Sequence, residues 1–116
     1  MIFLTMVFLQ IVDDYVLQGI LAQMKQKKFW ADIAPDEKYK YDYIWALLMH
    51  SFSWTFMIML PLMLTVGTSP VFYGVFVSNL LIHAATDNQK ANKFTINLWQ
   101  DQLIHIAQIV LTFIIL

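Results

Sequence analysis

LLIHAATDNQKANKFTINLWQDQLIHIAQIV, residues 80–110, twice sets an acid and an imidazole four positions apart: His83 with Asp87, and Asp101 with His105. Residues four apart share one face of a helix. Most of their neighbours are apolar, and the polar interruptions recur at helical spacing rather than in strand alternation. The stretch therefore reads as two apolar helices, each carrying one titratable pair, joined by a short polar connection with two lysines.

The rest of the chain agrees with an apolar solvent. Of its 116 residues, 59% are hydrophobic and 13% charged, against about 45–50% and about 25% in an ordinary soluble domain. Cysteine is absent, which excludes disulfides and thiolate metal sites. With a net charge of −1 and no arginine, no nucleic-acid partner is expected.

Four apolar segments are expected to be membrane spans, at about 2–24, 43–66, 71–87 and 98–116. Each is near the ~20 residues a helix needs to cross ~30 Å of hydrocarbon. In lipid only helices and closed barrels satisfy the backbone, and these segments are too long and too unalternating for barrel strands. The expected fold is all-α: a four-helix transmembrane bundle forming one membrane domain over 1–116. Pro61 predicts a kink in the second span. Gly67 and Pro70 mark a tight turn before the third.

All seven lysines fall in the segments 25–42 and 88–97. The positive-inside rule then places both segments in the cytoplasm, with the termini and the Gly67 turn outside. Trp30, Tyr39, Tyr41, Tyr43, Trp45 and Trp99 lie near the lysines, as an interfacial aromatic belt does. The N-terminal run does not read as a signal peptide, because it lacks a basic start and meets Asp13-Asp14 where a small-residue cleavage site belongs.

An aspartate at the centre of a membrane helix costs about 2.5–3.5 kcal/mol on insertion scales, so polar groups there face the bundle interior. Stripes form on each segment: Gln10, Asp14 and Gln18; His50 with Ser53 and Trp54; Asn79, His83, Asp87 and Lys90; Asp101, His105 and Gln108. At ~1.5 Å per residue, Gln18 lies about 10 Å and Asp14 about 16 Å from Lys25, His50 about 15 Å from Lys40, and His83 about 10 Å from Lys90. The polar residues of all four spans thus fall in the cytoplasmic half, and one shared chamber is expected.

Asp14, His50, His83, Asp87, Asp101 and His105 have the donor chemistry for a divalent metal such as Zn, Mn or Fe, with Gln18 and Gln102 as supporting groups. The same residues also suit a hydrogen-bonded network that locks the helices in register, or a proton or ion path. Asp13 stands about 100° round the helix from Asp14, so it either pairs with a neighbouring span or opens to water.

DDYVLQ in the first span, HAATDNQK in the third and WQDQLIH in the fourth resemble a family of small bacterial and phage multi-span membrane proteins known only as a domain of unknown function. That family's pattern is His-x-x-x-Asp, an aromatic, any residue and Leu-Gln with a Lys soon after, a lone His, then His-x-x-x-Asp-x-x-Lys, then Asp-Gln-x-x-His. Asp14, Tyr15, Leu17, Gln18 and Lys25 match the first part, and His50 the lone His. His83, Asp87 and Lys90 match the third part, and Asp101, Gln102 and His105 the last. Gln10 departs from it, standing where the family has its first His. Gln is a poor metal ligand, which counts against a second ion. The resemblance implies a helical protein of the inner (cytoplasmic) membrane, borne by a phage or a bacterium, and no particular reaction.

The leading functional expectation is metal-dependent hydrolysis of a lipid or lipid-linked substrate at the membrane surface, with Lys25 and Lys90 holding an anionic head group. A non-enzymatic phage or bacterial membrane protein is the alternative, acting on the host envelope or a host membrane protein through a structural His–Asp network. A small proton or ion conductor is the third reading. A homo-oligomer would suit so thin a bundle.

Overall fold

The computed structural model describes residues 1–116 as an all-α protein, 84% helical with no strands. Six α-helices run in order: α1 (Ile2–Val12), α2 (Leu21–Met24), α3 (Lys27–Ile33), α4 (Asp42–Val66), α5 (Pro70–Asn88) and α6 (Leu98–Ile115). The long helix α4 packs against α1 on one side and α5 on the other, and α6 closes the arrangement against both α1 and α5.

Two elements are long and apolar enough to cross a membrane, Glu37–Val66 and α6. The other two expected spans differ from that simple form. The segment 2–24 is not one helix. α1 stops at Val12, a π-helical turn covers Asp13–Leu17, and Gly19 at φ +55° turns the chain before α2. Only glycine adopts that left-handed conformation without strain. In α5, inward-facing Asn79, His83, Thr86 and Asp87 dilute the apolar run.

Helix α4 has 25 residues and continues past Pro61 to Val66. Gly67, at φ +77°, ends it. Ser69 caps α5 by accepting a hydrogen bond from Phe72 N (3.1 Å), and Pro70 takes the first helical position, where its missing N–H costs nothing. The short turn makes α4 and α5 a helical hairpin. The segment 25–42 is more ordered than the irregular loop expected of it. It has no proline before Pro35 and no glycine, so α3 forms, and Trp30 Nε1 anchors it by donating to the Met24 carbonyl (2.7 Å). Asn92 clasps this segment to the end of α5: Oδ1 accepts from Lys27 N (2.6 Å) and Nδ2 donates to the Lys25 carbonyl (2.9 Å).

The interior has two zones. Toward the Gly67 turn, Met6, Trp54, Ile58, Met59, Leu62, Phe72 and Ile109 form the apolar core. Beyond Trp54 the histidines and aspartates gather, beside buried Ala46 and Leu47. Of the 24 buried residues only ten are hydrophobic, and the other fourteen are polar or charged. Large apolar side chains instead cover the outside, including Leu4, Phe8, Val77, Leu81, Leu103 and Leu111.

Helix α6 starts with a reciprocal capping box: Asn97 Oδ1 accepts from Gln100 N (2.9 Å), and Gln100 Oε1 accepts from Asn97 N (3.0 Å). It holds the first turn of the helix that carries Asp101. Asn97→Ala should cost about 1 kcal/mol and Asn97→Gly only a few tenths. Thermal melting of the variants checks this; a loss under about 0.3 kcal/mol for Asn97→Ala would show that the side-chain cap is not what holds the helix start.

Candidate metal centre

Each side of the cluster is built by a local feature of one helix. At the end of α1 the π-helical turn places Asp13 and Asp14 on the same imidazole. His50 Nε2 lies 3.1 Å from Asp14 Oδ1, while Nδ1 lies 3.7 Å from Asp13 Oδ2. In an ordinary helix two adjacent side chains diverge by about 100°, and π turns of this kind recur at functional sites. Asp13 thus pairs with the neighbouring helix, and its other oxygen accepts from Ser53 Oγ (2.6 Å).

Asp87, one turn after His83 on α5, is the hub. Its Oδ2 is 3.5 Å from His83 Nε2, 3.4 Å from His50 Nε2 and 2.7 Å from Lys25 Nζ, and its Oδ1 is 3.4 Å from His105 Nε2. On α6, His105 Nε2 is also 3.2 Å from Asp101 Oδ1 and 4.0 Å from Asp14 Oδ2. The three imidazoles are at most 1% exposed. Trp54 stacks on His83 at 4.2 Å between ring centres, and His83 stacks on His105 at 4.1 Å, which fixes both ring planes.

On Asp101 and His105 the outer atoms are tied down and the inner ones are not. Asp101 Oδ2 accepts from Gln102 Nε2 (3.1 Å), whereas Oδ1, beside His105, has no hydrogen-bond partner. His105 Nδ1 pairs with Gln108 Oε1 (3.3 Å), whereas Nε2 faces three carboxylates and is aligned with none. Neither ring nitrogen of His83 has a partner. A buried polar group left unpaired costs about 1–3 kcal/mol, a cost that an ion bound by these atoms would offset. His105 has the arrangement of a metal-binding histidine, one nitrogen free for an ion and the other held by an outer group.

The spacing also fits an ion. Two donors bound at ~2.0–2.2 Å with a tetrahedral angle between them sit about 3.3–3.6 Å apart. The nitrogen–oxygen separations of His50, His83 and His105 to Asp87, and of His105 to Asp101, run from 3.2 to 3.5 Å. Three groups have donor atoms close enough to share one ion: Asp14, His50 and His83; His83, Asp87 and His105; Asp14, Asp101 and His105.

All six residues expected to form the cluster are therefore brought together. The supporting glutamines differ. Gln102 Nε2 bridges Asp14 Oδ2 (3.0 Å) and Asp101, while Gln18 Nε2 reaches only the backbone carbonyl of Asp14 (3.0 Å). Gln10 donates to Gln102 Oε1 (2.8 Å) and Asp14 Oδ2 (3.3 Å). Lys25 is not at the surface as a head-group ligand would be. It is buried against Asp87, because the turn at Gly19 folds the chain back and ends the straight-helix depth scale. Lys90 stays at the rim, 38% exposed, 3.5 Å from Asp101. Spacing alone left Asp13 undecided and put Lys25 at the surface. Ser53 and Trp54, expected beside His50, both join the cluster.

With chelator present, Lys25→Met should destabilise the protein by about 3–5 kcal/mol, because it takes the lysine charge from the buried Asp87 carboxylate. Adding Asp87→Asn to it should recover most of that loss. Thermal melting measures both; a single-variant loss under about 1 kcal/mol would match a solvated pair instead.

Comparison with protein-family models, with curated proteins and with solved structures finds no match to this chain, so its functional reading rests on this geometry.

Proposed function

We propose that the chain is a four-span membrane protein whose buried cluster binds a divalent metal and hydrolyses a lipid or lipid-linked substrate. The observation that carries the metal reading is the set of unpaired inner atoms on His83, His105 and Asp101, at ligand spacing from their neighbours. A divalent ion held there would lower the pKa of a water to about 7 and supply a nucleophile.

The inverted interior supports the membrane reading. Water-soluble proteins bury apolar side chains and expose polar ones; here polar groups dominate the buried set and aliphatic and aromatic side chains the surface. α1 and α5 fit as spans for the same reason. Leu4, Phe8 and Ile11 on α1, and Val71, Val77 and Leu81 on α5, face outward. The polar residues that lower the mean hydropathy of α5 point inward, where lipid does not reach them. The lysine segregation then favours termini outside and both lysine segments in the cytoplasm.

A cleft of about 410 Å³ between α1 and α6 supports an amphiphilic substrate. Val7, Ile11, Trp99 and Ile106 line its walls, and its polar floor is Gln10 and Gln102, which bond to Asp14. Half-exposed Lys90 stands beside Asp101 to meet an anionic head group. The motif resemblance to a family of small phage and bacterial membrane proteins is compatible with this placement. The competing structural reading has its own observation, the Lys25–Asp87 pair at 2.7 Å, which neutralises a buried carboxylate without any ion.

Two experiments separate these readings. Reporter fusions at Asp36 and Leu116 should report opposite compartments, and equal signals from both would end the four-span topology. Elemental analysis of protein purified in mild detergent without chelator should find metal in the wild type. Metal content should fall to the same extent in both His83→Ala and His83→Asn, with both variants still folded. Wild type free of metal, with Asn melting near wild type and Ala well below it, would instead establish the structural network.

A further inference from the structure

Two carboxylates in the cluster each turn their two oxygens toward different histidines. Asp14 presents Oδ1 to His50 Nε2 (3.1 Å) and Oδ2 to His105 Nε2 (4.0 Å). Asp87 presents Oδ2 to His50 and His83 (3.4 and 3.5 Å) and Oδ1 to His105 (3.4 Å). A chamber for one ion needs one oxygen from each carboxylate. Four oxygens divided between two sets of nitrogens have the layout of a bridged pair.

We infer that the cluster is a dinuclear site, holding two divalent cations bridged by the carboxylates of Asp14 and Asp87. This rests on the metal reading above and goes beyond it in the number of ions and the roles of the ligands. One position takes His50 Nε2, His83 Nε2, Asp14 Oδ1 and Asp87 Oδ2. The other takes His105 Nε2, Asp101 Oδ1, Asp14 Oδ2 and Asp87 Oδ1. Among the ion-sized groups, Asp14, His50, His83 and Asp14, Asp101, His105 have only the Asp14 carboxylate in common. Asp87 belongs to the group between them, with His83 and His105.

Eight donor atoms on six residues give each ion four protein ligands. Bridged pairs of this kind hold their ions about 3.5–4 Å apart. The donors are imidazole nitrogen and carboxylate oxygen with no thiolate, which suits Mn, Fe or Zn. A glutamine at position 10 is no obstacle, because Gln10 supplies none of the eight donors. It steadies Asp14 and Gln102 from behind. Helical bundles build two-metal carboxylate sites in the same way, with ligands converging from facing helices.

Titration of Mn²⁺ into the metal-stripped full chain in mild detergent tests this. Bound metal is counted by elemental analysis and the coupling between ions is read by electron paramagnetic resonance. The expected result is two Mn²⁺ per chain, with the signal of an isolated ion lost to exchange coupling at full occupancy. Asp101→Asn should then hold one ion per chain and regain the isolated-ion signal, its fold checked by helical circular dichroism. Saturation of the wild type at one ion per chain would overturn the dinuclear site and leave a mononuclear metal site standing. Two uncoupled ions would overturn the carboxylate bridge. No specific binding of Mn²⁺, Zn²⁺ or Fe²⁺ would overturn both this inference and the metal reading beneath it. The wild-type count decides these outcomes even if Asp101→Asn fails to fold.

Discussion

The carboxylate of Asp87 meets the chain four times. Lys25 reaches it from the segment after α2, His50 from α4, His83 from its own helix and His105 from α6, all within 3.5 Å. A carboxylate almost sealed from solvent must be paired, because an isolated buried charge costs several kcal/mol even after relaxation. That requirement fixes how the helices can sit. Sliding any one of them by a turn, about 5.4 Å, would take its nitrogen out of reach. The apolar core toward the Gly67 turn supplies general cohesion, while the polar end supplies register.

This register depends on two departures from regular helix. The π-helical turn at Asp13–Leu17 lets both acids address His50. The left-handed Gly19 then redirects the chain, so that Lys25 returns to the cluster instead of continuing away from it. A straight first helix would have left Asp87 without its cation and Asp13 turned from His50. The apolar exterior follows from the same polar interior. With the side chains that need partners drawn inward, what remains outside is aliphatic and aromatic.

Much of this was legible in the amino-acid order because it depends on helical periodicity alone. The i, i+4 pairs His83–Asp87 and Asp101–His105, with Asp14 and His50 at matching depths, anticipated the convergence of six residues from four segments. The all-α class followed from the long apolar runs. What periodicity could not supply were the breaks in it. A π turn is a local register shift with no composition of its own, and Gly19 inside an apolar run is also compatible with an unbroken helix. The depth assigned to Lys25 failed for that reason, and with it the surface role expected of that lysine. The mean hydropathy of α5 is lower than that of α6, because averaging round a helix mixes its inward histidine and aspartate with outward apolar residues.

The central claim is that the unpaired nitrogens and oxygens at the middle of this cluster are ligands to metal and not members of a packing network. X-ray absorption spectroscopy on protein isolated from metal-replete cells tests that claim most directly, since it reads the donors round the metal itself. The account predicts a metal edge whose nearest shell is nitrogen and oxygen at about 2.0–2.2 Å, with the outer scattering of imidazole rings behind it. A sample with no metal edge above background, or with a shell that contains no imidazole, would contradict it.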